Sequence, residues 1–148
     1  MRQWLVSILV GTVSATGLGL YFYMIEHFTG KPLWTLLLNI DFIYDPVETG
    51  PFFAVVEVGL HWLVAVLIVR IYLWIINQRN LVKSDQRMEW AAGLSFIAFL
   101  TYFPLTMLAK TTTPAITDVV AIFDWLIGHA IFFFILFYGV EKWFIGSR

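Results

Sequence analysis

The stretch Phe52–Ile76, FFAVVEVGLHWLVAVLIVRIYLWII, decides the fold. A bilayer core about 30 Å thick takes roughly 20 mostly apolar residues of helix. Only Glu57, His61 and Arg70 interrupt the run. Reading outward from it, three further stretches have the same character: Gln3–Ile25, Met88–Leu108 and Ile116–Ile145. Backbone groups facing lipid must be satisfied within their own segment, so these runs predict helices. The two-residue alternation of a membrane β-barrel is absent. The expectation is an all-α, four-transmembrane-helix bundle over residues 1–148, forming a single integral membrane domain.

Composition agrees. The chain has 148 residues, of which 60% are hydrophobic and 13% charged, against about 25% charged in a soluble domain. Mean hydropathy is +0.82. These values exclude a disordered chain, a nucleic-acid-binding domain and an ordinary soluble enzyme. With no cysteine, thiol catalysis, disulfides and Cys-ligated zinc or iron–sulfur centres are excluded too. The first run also has features of a signal peptide, with Arg2 ahead of it and Val13-Ser14-Ala15 resembling a cleavage site. It continues through Tyr21–Ile25, too long for such an apolar core, so it reads as a retained span.

Charge orients the bundle. An even number of spans puts both ends on one side. That side holds Arg2, Arg70, Arg79, Lys83, Arg87, Lys142 and Arg148, leaving only Lys31 and Lys110 on the other. The positive-inside rule then predicts cytoplasmic N- and C-termini in the plasma (inner) membrane. Most acids and all three histidines, His27, His61 and His129, fall in the outer half. Trp4, Trp74, Trp90 and Trp143 sit near the cytoplasmic ends, as interfacial rings do, whereas Trp62 and Trp125 lie deeper, near a span histidine.

The connections differ in kind. Between Glu26 and Pro51, the apolar middle Pro32–Tyr44 predicts a short interfacial or re-entrant helix. Asp45-Pro46 and Gly50-Pro51 read as closing turns. His27, Asp41, Asp45 and Glu48 give this surface an acidic character, either a solvated face or a weak divalent-cation site; their spacing matches no EF-hand. The basic turn Asn77–Arg87 reads as an orienting element that meets anionic lipid. Thr113-Pro114 reads as the cap and first turn of the last span. Pro104 predicts a bend in span three, with Thr101 placed to satisfy a freed carbonyl. Ser7, Gly11, Ala15 and Gly19, four residues apart, form a small-residue face for close helix approach. It serves either this chain's own bundle or a homo-oligomer seam.

The candidate site is a polar layer inside the membrane. A charge at the bilayer centre costs about 2.5–3.5 kcal/mol on insertion scales, so ionisable residues there point to function. Glu57 and His61 share a face of span two. Asp124 and His129 lie on span four, about 140° apart around the helix. The predicted depths of His61 and His129 differ by only about 5 Å. Three readings compete. The four residues form a packing cluster or partner site, the leading reading. Or they bind a divalent metal, or a b-type haem through His61 and His129. Or they relay protons or ions. No Gly-x-Ser-x-Gly or other catalytic layout is present, so no enzyme activity is expected. Arg70, nine residues beyond His61, reads as snorkelling to phosphate from the opposite face, and Glu141 and Lys142 read as the end of the last span.

Short motifs also resemble YagU-like inner-membrane proteins: Phe103-Pro104-Leu105, Thr112-Thr113-Pro114, Ile127-Gly128-His129, and Gly59-Leu60-His61-Trp62. The small-residue first span ending in Glu26 is similar as well. The resemblance implies a multi-span inner-membrane protein, draws attention to His61 and His129, and implies no reaction.

Overall fold

The computed structural model describes residues 1–43 and 51–146. Its helices are α1 (Arg2–Thr29), α2 (Leu33–Leu38), α3 (Pro51–Gln78), α4 (Ser84–Leu100), α5 (Tyr102–Leu108) and α6 (Val119–Val140). A π-helical turn, Glu141–Ile145, follows α6. No strand occurs among the described residues. Among the described residues, four helical stretches are long and apolar enough to cross a membrane: α1, α3, α4 with α5, and α6 with its terminal turn. The chain is thus a four-helix membrane bundle. Both ends lie together, since Arg2 Nη2 donates to the Phe144 carbonyl at 2.8 Å. The Asp45-Pro46 turn and Glu48 fall outside the described residues.

α1 is the hub, packing on α3 along one side and on α6 along another. Missing side chains make this possible. A Cβ on Gly11 would come within 2.7 Å of the Val66 Cα, and one on Gly128 within 2.5 Å of the Phe22 ring. Contact this close is what binds helices where lipid removes the hydrophobic drive. The Ser7/Gly11/Ala15/Gly19 face is buried within the chain, against α3 at Gly11 and against Trp34 of α2 at Gly19.

Span three is interrupted at Thr101, just before Pro104, where a bend is expected. α4 ends at Leu100 and α5 begins at Tyr102, because Pro104 has no N–H to continue the ladder. The Thr101 hydroxyl donates to the Ala98 carbonyl at 2.6 Å and not, as expected, to the Leu100 carbonyl that Pro104 frees. Trp125 Nε1 reaches across from α6 to the Phe99 carbonyl at 3.0 Å. The last span starts later than the sequence suggests. Its cap is Asp118, which accepts from the Val120 and Ala121 N–H groups, and not Thr113 with Pro114 at the first turn. A carboxylate at a helix N-terminus meets both orphan donors and the helix dipole.

The expected short helix is α2, with Leu33, Leu36 and Leu38 buried. Glu26 anchors it by accepting from the Thr35 N–H and hydroxyl, each at 2.8 Å. Beyond it, Asp41 is almost completely buried. Its Oδ2 accepts from the backbone N–H of Lys110 at 2.9 Å and of Thr111 at 2.6 Å, and from the Asn39 amide at 3.3 Å. This residue is a latch between the first and third connections, not part of a solvated acidic face. Burial alone would raise the Asp41 carboxyl; the hydrogen bonds from Lys110, Thr111 and Asn39 outweigh it and hold the group below the ordinary carboxylate range.

The terminal end is tied just as firmly. Helix α4 begins at Ser84, earlier than the hydropathy run, and carries Arg87 inside the bundle. Arg87 Nε and Nη2 hold the two Glu141 carboxylate oxygens at 2.5 and 3.0 Å. Nη1 donates to the Leu81 and Val82 carbonyls. Tyr72 completes the knot by donating to the Arg87 carbonyl at 2.9 Å. Arg87 and Glu141 therefore form an internal bidentate pair and are neither a lipid-facing loop charge nor a simple span end. Arg70, read as snorkelling to phosphate, bonds Gln3 Oε1 at 3.0 Å and lies over the Trp4 ring.

Candidate functional site: a cleft between α3 and α4

α3 and α4 are joined by a short turn, yet touch only weakly; α3 leans on α1 and α4 on α6. Between them lies a cavity of about 420 Å³, within the usual range for small-molecule sites. α6 forms part of its wall with Trp125, His129 and Phe132, and the segment around Asn39 closes the α2 end. Leu60, Val64 and Ile71 of α3 and Ile97 of α4 line it while remaining 38–64% exposed on the bundle surface. The cleft therefore opens sideways, toward the lipid face of an apolar bundle. Along α3 its lining runs from Glu57 to Ile71, about 21 Å at helical rise.

The polar lining is graded. Glu57, His61, Asn39, Thr101 and His129 belong to the half nearer α2, whereas the deeper half holds Ala65, Ile68, Ile71, Leu94 and Phe132. His61 and His129 each lie ten residues from the start of their helix, on elements that begin at the same end. Both rings line the same cavity. The predicted common depth of the two histidines is thus present.

The two imidazoles differ. His129 is buried beside Trp125, whose ring centroid is 5.0 Å away. Its Nδ1 lies 2.8 Å from the Trp125 carbonyl oxygen. A carbonyl only accepts, so Nδ1 carries the proton and a neutral ring offers Nε2 as an acceptor. His61 Nε2 is screened from solvent and has no hydrogen-bond partner. Its ring also lines a second cavity of about 260 Å³ against Ala15, Gly19 and Trp34.

The sequence-derived quartet does not assemble as one group. Glu57, His61 and His129 line one cavity. Asp124 turns away from it and faces Tyr21 of α1, as its angular offset from His129 permits. Among the described residues, no three His, Asp or Glu side chains converge as metal ligands. Sequence reasoning missed the Asn39 and Thr101 contributions to the lining. Polar residues flanking the interruption before Pro104 were the available signal for Thr101.

No protein-family model matches the sequence, and searches of curated proteins and of solved structures find no match either.

Proposed function

We propose that this chain is a plasma-membrane protein with cytoplasmic termini that binds a lipid-soluble amphiphile in the α3–α4 cleft. The observation that carries the reading is the cleft itself: laterally open, apolar along its length, with two imidazoles at one end. A ligand dissolved in the bilayer enters sideways, places its chain against Ile68, Ile71 and Leu94, and brings its polar group to His61 and His129. The charge asymmetry of the connecting segments supports the orientation.

Other roles fit the geometry less well. A packing role leaves the screened His61 Nε2, on the wall of a cavity, without a protein partner. A proton relay needs a continuing chain of polar groups, but the deeper half of the cleft is lined by Ala, Ile, Leu and Phe. A b-type haem carries two propionates that call for cationic partners, and the described lining contains Glu57 with no Lys or Arg. The test is to purify the protein in mild detergent and analyse the bound fraction by absorption and mass spectrometry. The expected result is a co-purifying apolar molecule that is lost when Ala98→Phe fills the cleft. Equal recovery from the filled variant would reject the site.

A further inference from the structure

We infer that the cleft recognises an uncharged hydroxyl group on its ligand, held between His129 and His61. The inference rests on the ligand-binding reading above and names the head group that site selects. His129 spends its Nδ1 proton on the Trp125 carbonyl, so Nε2 is the edge it offers to the cavity, as a hydrogen-bond acceptor. An acceptor in an apolar wall calls for a donor; a methyl ether, ester or ketone head supplies none. His61 Nε2, screened and without a partner, gains a bond in the tautomer that carries its proton there, because a hydroxyl that donates to His129 still accepts. One O–H can therefore donate to His129 and accept from an N–H on His61 Nε2, satisfying groups whose burial is otherwise costly.

Charge selects further. The described lining holds one carboxylate, Glu57, and no Lys or Arg. A carboxylate or phosphate head would bring a second negative charge into a low-dielectric wall with no cation to meet it. An ammonium head would donate to His129 and find Glu57 as a counter-ion, but it has no lone pair to accept from His61. The remaining class is a neutral alcohol or phenol on a long apolar chain. The chain has room: His61 to Ile71 spans about 15 Å of helix below the head group, lined by apolar side chains.

The experiment uses the full chain in mild detergent. Geranylgeraniol is titrated against its methyl ether, its carboxylic acid analogue and its primary amine analogue, with binding read by tryptophan fluorescence, since Trp125 lines the cleft. The alcohol should bind about tenfold tighter than the ether, the effect of one well-made hydrogen bond. His129→Phe should bring the alcohol down to the ether's affinity and leave the ether unchanged. If that variant does not fold, the alcohol-to-ether ratio on the unaltered protein decides alone. A ratio near one, or tighter binding of the acid or amine, overturns the hydroxyl inference while leaving the cleft as a ligand site. Binding of none of the four probes overturns both.

Discussion

The seams around α1 and the cleft between α3 and α4 are built from the same apolar residue types, yet one is closed and the other open. Glycine placement shows why the first closes. Gly11 and Gly128 stand where a Cβ would strike Val66 and Phe22, so the helices meet at backbone distance. Gly59 on α3 and Gly93 on α4 are exposed, with nothing within 4 Å of an added Cβ, and take no part in a seam. The residues that face each other across the cleft, among them Leu60, Val64, Leu94 and Ile97, all carry side chains. The cleft persists because both ends are tied while the middle is not. At one end Arg87 grips Glu141; at the other Asp41 grips the Lys110–Thr111 backbone.

This contrast can be broken most severely at its ties. Arg87→Ala leaves Glu141 without its bidentate partner and should cost about 3 kcal/mol, measured by thermal unfolding in detergent. The double change Arg87→Met with Glu141→Leu should recover most of the loss. If Arg87→Ala is neutral, the terminal knot is not what holds α4 to α6.

Overpacking the α1–α3 seam comes next. Gly11→Leu must displace Val66 backbone and should cost about 3 kcal/mol. Gly93→Ala on α4 should leave stability unchanged or raise it by about 0.5–1 kcal/mol through helix propensity. Equal losses at both positions would show that the loss at Gly11 does not come from the α1–α3 seam.

The latch gives a smaller, pH-dependent effect. Asp41→Ala should cost about 2 kcal/mol, as removal of charge-assisted hydrogen bonds does. The sign follows from the depressed carboxyl. Its contribution is complete above about pH 4, where the unfolded group is ionised, and is lost as pH falls through the still lower folded value. Melting curves of Asp41→Asn and the unaltered protein should stay a constant distance apart above that pH and converge below it. A gap that widens on acidification would contradict the latch.

The smallest effect sharpens the functional side. His61→Phe replaces a ring whose Nε2 has no partner and should change stability by no more than about 0.5 kcal/mol, while weakening ligand binding. A loss above about 2 kcal/mol, with binding intact, would assign His61 to packing.

Much of this architecture is legible in the sequence. Hydropathy reports depth, and depth alone yields the four spans, the shared end of the two termini and the common level of His61 and His129. Proline chemistry marks the interruption before Pro104, and the apolar middle of the first connection marks α2. Rotation about each helix axis is not legible. Helices apolar on every side carry no amphipathic stripe to orient them, so the face each one buries is set by where its small residues find a partner. Tertiary packing therefore decided that Asp124 meets Tyr21 while His129 meets the cleft, that Arg87 turns inward to Glu141, and that Asp41 is a buried latch. It also decided that α3 and α4, neighbours in sequence, stand apart. That separation comes from contacts each makes with a different helix, α1 and α6, and no local pattern within either one encodes it.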